Sequence, residues 1–169
     1  MAGLYIHFPF CKQACHYCNF HFSTQIAKAD SFHLLLLKEL EMRYHFIDHS
    51  PLESIYFGGG SPSLLSVSAI ASIISRAKEL LKGSDSIEIT VELNPDDVSP
   101  SYLQGLVEAG VNRVSLGIQS FEEKELKLMN RMSSLNYWKP YSMKKWLKKN
   151  LLNLTVTLNL MKIIIKKKS

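Results

Sequence analysis

"SIYFGGGSPSLLSVSAIASIISRAKELL", residues 54–81, contains one complete unit of the fold. Ile55, Tyr56 and Phe57 make a short β-rich run, which three glycines end. From Ser66 to Lys82 the apolar residues Ile70, Ile73, Ile74, Ala77, Leu80 and Leu81 recur at the i, i+3, i+4, i+7 spacing of an amphipathic helix, and Gly83 is placed to stop it. Strand, glycine-rich loop and helix in that order form the repeating piece of a parallel α/β sheet.

The same alternation extends in both directions. Upstream, "LYIHF" (4–8) reads as a strand and "DSFHLLLLKELEMRYHF" (30–46) as a leucine-dense helix. Downstream, "IEITVEL" (87–93) is a third strand. Ser99-Pro100 then gives an N-cap and an N1 proline, with Gly110 as the stop of a short helix. "RVSLGI" (113–118) is a fourth strand, and Ser120 with Glu123 has the spacing of a capping box opening a fourth helix. Four βα units in a row predict a parallel sheet whose ligand site lies beyond the C-terminal strand ends. The unusual residues fall there. Cys11, Cys15 and Cys18 follow the first strand and "GGGSP" (58–62) the second. Glu92 and Asn94-Pro95 end the third, and Gln119 ends the fourth. Four loops therefore bring polar or glycine-rich chemistry to one rim, which argues for a single site.

Composition sets the frame. A chain of 169 residues with 46% hydrophobic and 21% charged residues suffices for one globular domain with a sizeable core. No run approaches the ~18 uninterrupted apolar residues of a membrane span, and the N-terminus lacks the basic-then-apolar pattern of a signal peptide. The 3 cysteines all lie within residues 11–18. An odd, clustered set is a poor disulfide framework, so a reducing cytoplasm with free thiols is expected. The net charge of +5 is unevenly spread. Residues 1–131 carry 11 Lys+Arg against all 15 Asp+Glu, a net of −4, whereas 132–169 carry nine lysines and no acid, a net of +9. No arginine or recognition module accompanies those lysines. They read as a solvated end, and no specific nucleic-acid partner is expected.

Thiolates ligate zinc, iron–sulfur clusters and soft metals. Three cysteines with His16 or His21 could close around zinc, although a zinc site confined to one loop would clamp little together. A four-iron cluster held by three cysteines keeps one iron open for a ligand, and x3-then-x2 spacing in one loop suits that arrangement. Spacing favours the cluster and leaves zinc as the alternative.

"YIHFPFCKQACHYCNF" (5–20) resembles the signature of the radical S-adenosylmethionine (radical SAM) superfamily, whose mark is Cys-x3-Cys-x2-Cys. "GGGSP" resembles that family's glycine motif, and "VELNP" (91–95), "LGIQSF" (116–121) and "MNR" (129–131) follow in the expected order. Together they resemble the branch containing oxygen-independent coproporphyrinogen III oxidases and HemW-type heme chaperones. The resemblance implies an α/β fold, a partial (β/α)6 radical SAM barrel, here shortened to about four to five βα units. It implies a 4Fe–4S cluster on Cys11, Cys15 and Cys18. In members that do chemistry it implies reductive cleavage of SAM to a 5′-deoxyadenosyl radical. It further implies that Tyr5, Tyr17, Gly59, Gly60 and Ser61 contact SAM, with glycine backbone approaching the methionyl part and donating N–H groups to it. Glu92 would accept from ribose hydroxyls or the amino group, and Gln119 and Arg131 would complete the pocket. Heme or a porphyrin as ligand, a heme-acceptor protein and an electron donor are the implied partners.

Within the branch, the oxidase type is expected to carry a fourth cysteine two residues after the third. Here Asn19 and Phe20 follow Cys18, which favours the heme-chaperone type over porphyrin decarboxylation. The resemblance covers about residues 3–131. Beyond it, residues 132–169 contain no Gly, no Ala and no acid, a shift that reads as a truncated chain or a changed reading frame. The division expected is therefore 1–131 as the N-terminal part of a radical SAM barrel and 132–169 as a Lys-rich tail that does not complete it. "NLTVTLNLM" (153–161) faintly resembles a fifth strand, with Thr157 near the place of an expected acid. A metal-binding fragment without turnover is the non-enzymatic alternative.

Overall fold

The structure, a computed structural model, describes residues 2–46, 50–82 and 86–131, and the backbone of 153–157. Five parallel strands lie side by side in chain order: β1 (Ala2–Phe8), β2 (Leu52–Gly59), β3 (Glu88–Leu93), β4 (Arg113–Gly117) and β5 (Asn153–Thr157). Helices α1 (Ala29–Arg43), α2 (Val67–Leu81) and α3 (Pro100–Glu108) connect the first four strands, and α4 (Glu123–Leu128) follows β4. The strand order never reverses. Crossovers of the usual hand then carry every helix to the same face, as in a barrel wall and unlike a doubly wound sheet.

Strand alternation sorts the residues accordingly. Ile6, Phe57, Val91 and Val114 are in register across the sheet, and all are buried in the core beneath the helices. Phe8, Ile55, Ile89, Leu93 and Leu116 join them. The opposite face carries the row Tyr5, Tyr56, Thr90 and Arg113, with Glu92 beside Ser115 one step further along. Parallel sheets are normally covered on both faces. Here the second face is polar and aromatic, and it forms the floor on which the site stands.

α2 and α3 start, and α3 stops, as the sequence predicts. Ser66 and Ser99 accept from the backbone N–H of Ala69 and Tyr102, each at 3.1 Å, and cap α2 and α3. Gly110 takes φ 93° after α3. The left-handed residue after α2 is Lys82, and the expected stop Gly83 lies outside the described residues. Strand two runs on to Gly59 because β1 continues alongside it, pairing His7 with Gly58 and Phe8 with Gly59. The capping box at Ser120 forms differently. Its hydroxyl accepts from the Glu122 N–H at 3.0 Å and donates to Glu125, while Glu123 pairs with Lys127. The turn after β4 sets α4 back, so Ser120 stands too early to be the cap.

Of the Lys-rich segment, only Asn153–Thr157 are described; they add β5 to the edge of β4, with Gly117 opposite Thr157. The remainder of the expected tail lies outside the described residues. Among those described, no helix is long and apolar enough to cross a membrane.

α1 and α2 differ in burial. α2 buries Ile70, Ile73, Ile74 and Ala77 on one face, whereas α1 carries leucines on both faces and leaves Leu34, Leu35 and Met42 exposed. Ile73 is 1% exposed and Leu35 60%. Ile73→Ala is expected to cost about 2–5 kcal/mol, and Leu35→Ala less than about 0.5 kcal/mol, measured as shifts in the urea midpoint at constant slope.

Candidate functional site

At the C-terminal strand ends the molecule opens into a cleft of about 770 Å³. Its lining brings together Cys11, Cys15, Tyr17 and Cys18 from the loop after β1 with Gly59, Gly60 and Ser61 from the loop after β2. Glu92 from β3, Gln119 from the loop after β4 and Arg131 from beyond α4 face the same space. Ten of the eleven residues singled out in the sequence therefore meet. Tyr5 does not. It sits back on the open sheet face, 57% exposed, stacked on Tyr56 with ring centroids 6.0 Å apart and its hydroxyl 3.3 Å from His7 Nδ1. Its side-chain direction follows from strand alternation, but its position three residues before the strand end keeps it below the cleft.

The glycine loop works in a way the sequence does not reveal. Gly60 N–H donates to Phe8 O at 2.7 Å, Ser61 N–H to Phe10 O at 2.8 Å, and Gly59 N–H to Glu92 Oε2 at 3.3 Å. The N–H groups of Gly59 and Gly60, expected to donate to a ligand, are here bonded within the chain, as is that of Ser61. The glycines also serve internal packing. A Cβ on Gly60 would come within 2.6 Å of Phe10 O and 2.9 Å of Cys11 Sγ. Gly59 has φ +113° and a Cβ there would meet the His7 ring at 2.7 Å. The cysteine loop can lie against the glycine loop because no side chain intervenes.

Glu92 is likewise bound on both oxygens, since Tyr56 Oη–H donates to its Oε1 at 2.7 Å. Burial, then the Glu92 bond, pushes the Tyr56 hydroxyl up to about 12, so it stays protonated as the donor. Arg131 spans the cleft. Its Nη1 donates to Tyr17 Oη at 2.9 Å, and its Nη2 reaches Gly117 O and, at 3.3 Å, Asn94 Oδ1. Burial raises the Cys11 thiol above its ordinary value. The Ser61 hydroxyl, 3.8 Å from its sulfur, pulls the other way, the thiols of Cys18 and Cys15 raise it further, and Arg131 lowers it.

Several contributors carried no signal in the sequence. Lys12 forms an ion pair with Asp97, whose other oxygen accepts from Ser63 Oγ at 2.8 Å, which ties the cysteine loop to the segment after β3. Gln13 and Asn130 join at 2.6 Å across the chain. His16, a possible zinc ligand by sequence, has Nδ1 3.0 Å from Leu128 O. Among the described residues, no group of three His, Cys, Asp or Glu side chains is gathered to hold a single metal ion.

The sequence pattern of the Radical SAM superfamily matches residues 5–162. The chain belongs to the radical SAM superfamily. Relatives include the heme chaperone HemW of Haemophilus influenzae, 41% identical over 136 residues, covering 77% of this chain and 36% of that protein. HemW of Bacillus subtilis is 38% identical over 134 residues, covering 78% and 35%. The mitochondrial radical S-adenosyl methionine domain-containing protein 1 of Danio rerio is 35% identical over 137 residues, covering 80% and 31%. The chain thus spans about a third of the length of these relatives. Among solved structures, the coproporphyrinogen III oxidase HemN of Escherichia coli superposes with a TM-score of 0.79 at 24% identity, over 91% of this chain and 36% of that one. That likeness concerns the fold: the five-stranded wall is a partial radical SAM barrel.

Superfamily membership implies a 4Fe–4S cluster and SAM, and the residues present fit both. Three thiols on one loop line the cleft, as suits a cluster that takes one thiolate per iron. Gln119 Oε1 and Arg131 Nε are buried without a partner among the described residues. Such orphaned groups are costly unless a polar ligand meets them.

The Gly60 contact gives a test. Gly60→Ala is expected to push the cysteine loop off the glycine loop, costing about 1–3 kcal/mol and exposing Cys11. Thermal melting and the rate of Cys11 alkylation in the metal-free chain measure it, and an unchanged alkylation rate would contradict the packing role.

Proposed function

We propose that the chain is the cofactor-binding part of a HemW-type heme chaperone, with Cys11, Cys15 and Cys18 holding a 4Fe–4S cluster and SAM occupying the adjoining cleft. The observation that carries this reading is the meeting of the three thiols with Gln119 and Arg131 in one cleft. The relatives named HemW support the heme-chaperone type. So does Phe20 at the position where the oxidase type carries a fourth cysteine. When bound, the cluster supplies an electron to the sulfonium of SAM and an open iron to its amino and carboxylate groups.

The chain's own residues then have definite tasks. Arg131, held between Tyr17, Asn94 and Gly117, lines the cleft and keeps its buried Nε as an uncommitted charge-assisted donor for a ligand. Gln119 offers Oε1 as an acceptor. Glu92 keeps the glycine loop in place through Gly59 and accepts from a ligand hydroxyl or amino group with its remaining lone pairs. Ser61 contributes its hydroxyl, since its N–H is committed. Tyr17 stands beside Arg131 with its phenol pushed up to about 12, chiefly by burial, and acts as a neutral wall. Tyr5, away from the cleft, takes part in ligand binding only through the open sheet face.

Heme as cargo, an acceptor protein to receive it and an electron donor belong to the same reading. So does a reducing compartment, the cytoplasm in the bacterial case; the Danio rerio relative is mitochondrial by name. We place the boundary of the motif-bearing radical SAM part at residue 131, although the superfamily's pattern runs on to residue 162 and takes in β5 at its edge.

Anaerobic reconstitution with iron and sulfide tests the core of this reading. The expected outcome is ~4 iron and ~4 sulfide per chain, a paramagnetic signal on reduction that changes when SAM is added, and loss of both in each single Cys→Ala variant. Stoichiometric zinc without sulfide would overturn it. Titration with heme reads the chaperone part separately, through a saturable shift of the heme absorption band.

The ligand contacts are tested by Gln119→Leu. Loss of one buried acceptor is expected to weaken SAM binding roughly tenfold, read by calorimetry on the reconstituted chain, while the signal recorded without SAM stays as in the parent. Unchanged affinity would remove Gln119 from the ligand contacts.

A further inference from the structure

Of the five residues between the three cysteines, Gln13, Ala14, His16 and Tyr17 are tied to one stretch more than a hundred positions away, while Lys12 pairs with Asp97. Gln13 Nε2 donates to Asn130 Oδ1 at 2.6 Å, and Asn130 Nδ2 donates to Ala14 O at 2.8 Å. His16 N–H donates to Met129 O at 3.0 Å, and its Nδ1 lies 3.0 Å from Leu128 O. Tyr17 accepts from Arg131. Within the loop, the backbone contributes Cys18 N–H to Cys15 O at 3.1 Å. Most of the polar bonds that hold the loop's shape therefore come from residues 128–131.

We propose that Asn130 is a positioning residue that fixes the cysteine loop in its ligating shape before a cluster is bound. Its consequence for the cluster rests on the reading of Cys11, Cys15 and Cys18 as ligands. The clamp itself is a property of the chain alone.

The chemistry selects asparagine for this position. The residue has φ +50°, in the left-handed region that Asn enters more readily than most side chains. Its amide uses both ends, accepting from Gln13 and donating to Ala14, so the orientation of the group is fixed by its two partners. Glycine would take the backbone angle and make neither bond. Aspartate would accept from Gln13 but could not donate to Ala14 O. The next residue is Arg131, which bridges Tyr17 to Gly117 and Asn94. One short turn thereby couples the placement of the thiols to the far wall of the cleft. A loop ordered in advance loses less freedom when it takes up its ligand, which is the physical benefit of preorganisation.

Asn130→Gly isolates the side chain from the backbone angle, and Asn130→Asp removes the donated bond. Hydrogen exchange on the metal-free chain reads the clamp directly. Amides of residues 11–18 are expected to lose protection roughly tenfold in Asn130→Gly and by less in Asn130→Asp, while those of β1–β4 and the melting temperature stay as in the parent. Parental exchange in 11–18 overturns the inference. A loss of protection spread through β1–β4 also overturns it, because that marks a plain stability role. On the reconstituted chain, Asn130→Gly is expected to release iron to a chelator at least about threefold faster and to broaden the reduced-cluster resonance; parental values for both overturn the positioning role. If exchange in 11–18 changes as expected while the parent takes up no cluster, the clamp stands and the cluster reading of the preceding section falls.

Discussion

A parallel sheet whose strand order never reverses can carry its helices on one face only, and every other feature of this chain follows from that constraint. The covered face takes Ile6, Phe57, Val91 and Val114, in register, with Phe8 further along β1, all buried. The other face is then free to carry side chains that a core could not tolerate, among them Glu92, Ser115 and Arg113. All strands point the same way, so their C-terminal ends lie at one edge. The loops after four of them, and the turn beyond α4, converge there. The cleft is the geometric result of parallel pairing, and the chemistry of its lining is what the loops add.

Those loops hold one another. Glu92 receives the Gly59 N–H and the Tyr56 hydroxyl, the glycine loop receives the cysteine loop through Phe8 O and Phe10 O, and residues 128–131 bind it from the opposite side. Few of the polar groups at the rim are left free. The orphaned ones among the described residues, which include Gln13 Oε1, Gln119 Oε1 and Arg131 Nε, are therefore informative: where nearly every neighbour is satisfied, an unsatisfied buried group suits a polar ligand.

The sequence made the repeating architecture legible because its signals are local. Short β-rich runs gave the strands, the Ile70–Ala77 stripe gave α2, and Ser66 and Ser99 gave caps that formed as expected. The cysteine spacing and the "GGGSP" loop located the rim for the same reason. What escaped was pairwise and distant. Gln13 meets Asn130 across 117 positions, and Lys12 meets Asp97 across 85. No periodicity announces such a pair, and each partner alone reads as an ordinary surface residue. The glycines were found, but their first task was not, because the atoms they make room for belong to Phe10 and Cys11. The position of Tyr5 was not legible for a related reason. A motif gives the order of residues along a strand, and only the register shows how far below the strand end each one sits.

Backbone strain lies on the same map. Among the described residues, three non-glycine ones have positive φ: Lys82, Gln119 and Asn130. Lys82 ends α2, where a left-handed residue closes the last turn. The other two flank the cleft. Gln119, at φ 70°, has no short side chain with which to offset the angle as Asn does, so its conformation costs on the order of 1 kcal/mol or more. The turn holds it there through Ile118 N–H to Leu116 O at 3.1 Å and Ser120 N–H to Ile118 O at 2.9 Å, with Ser120 itself buried and bonded to Glu125. A relaxed angle at 119 would redirect the side chain and free its amide from the Gly117 region, where its Nε2 comes within 3.0 Å of the Cβ that glycine lacks. Strain, a missing side chain and an orphaned oxygen thus coincide at the end of β4. Each is unfavourable for the isolated chain, and together they hold an acceptor at the cleft that a relaxed turn would turn away.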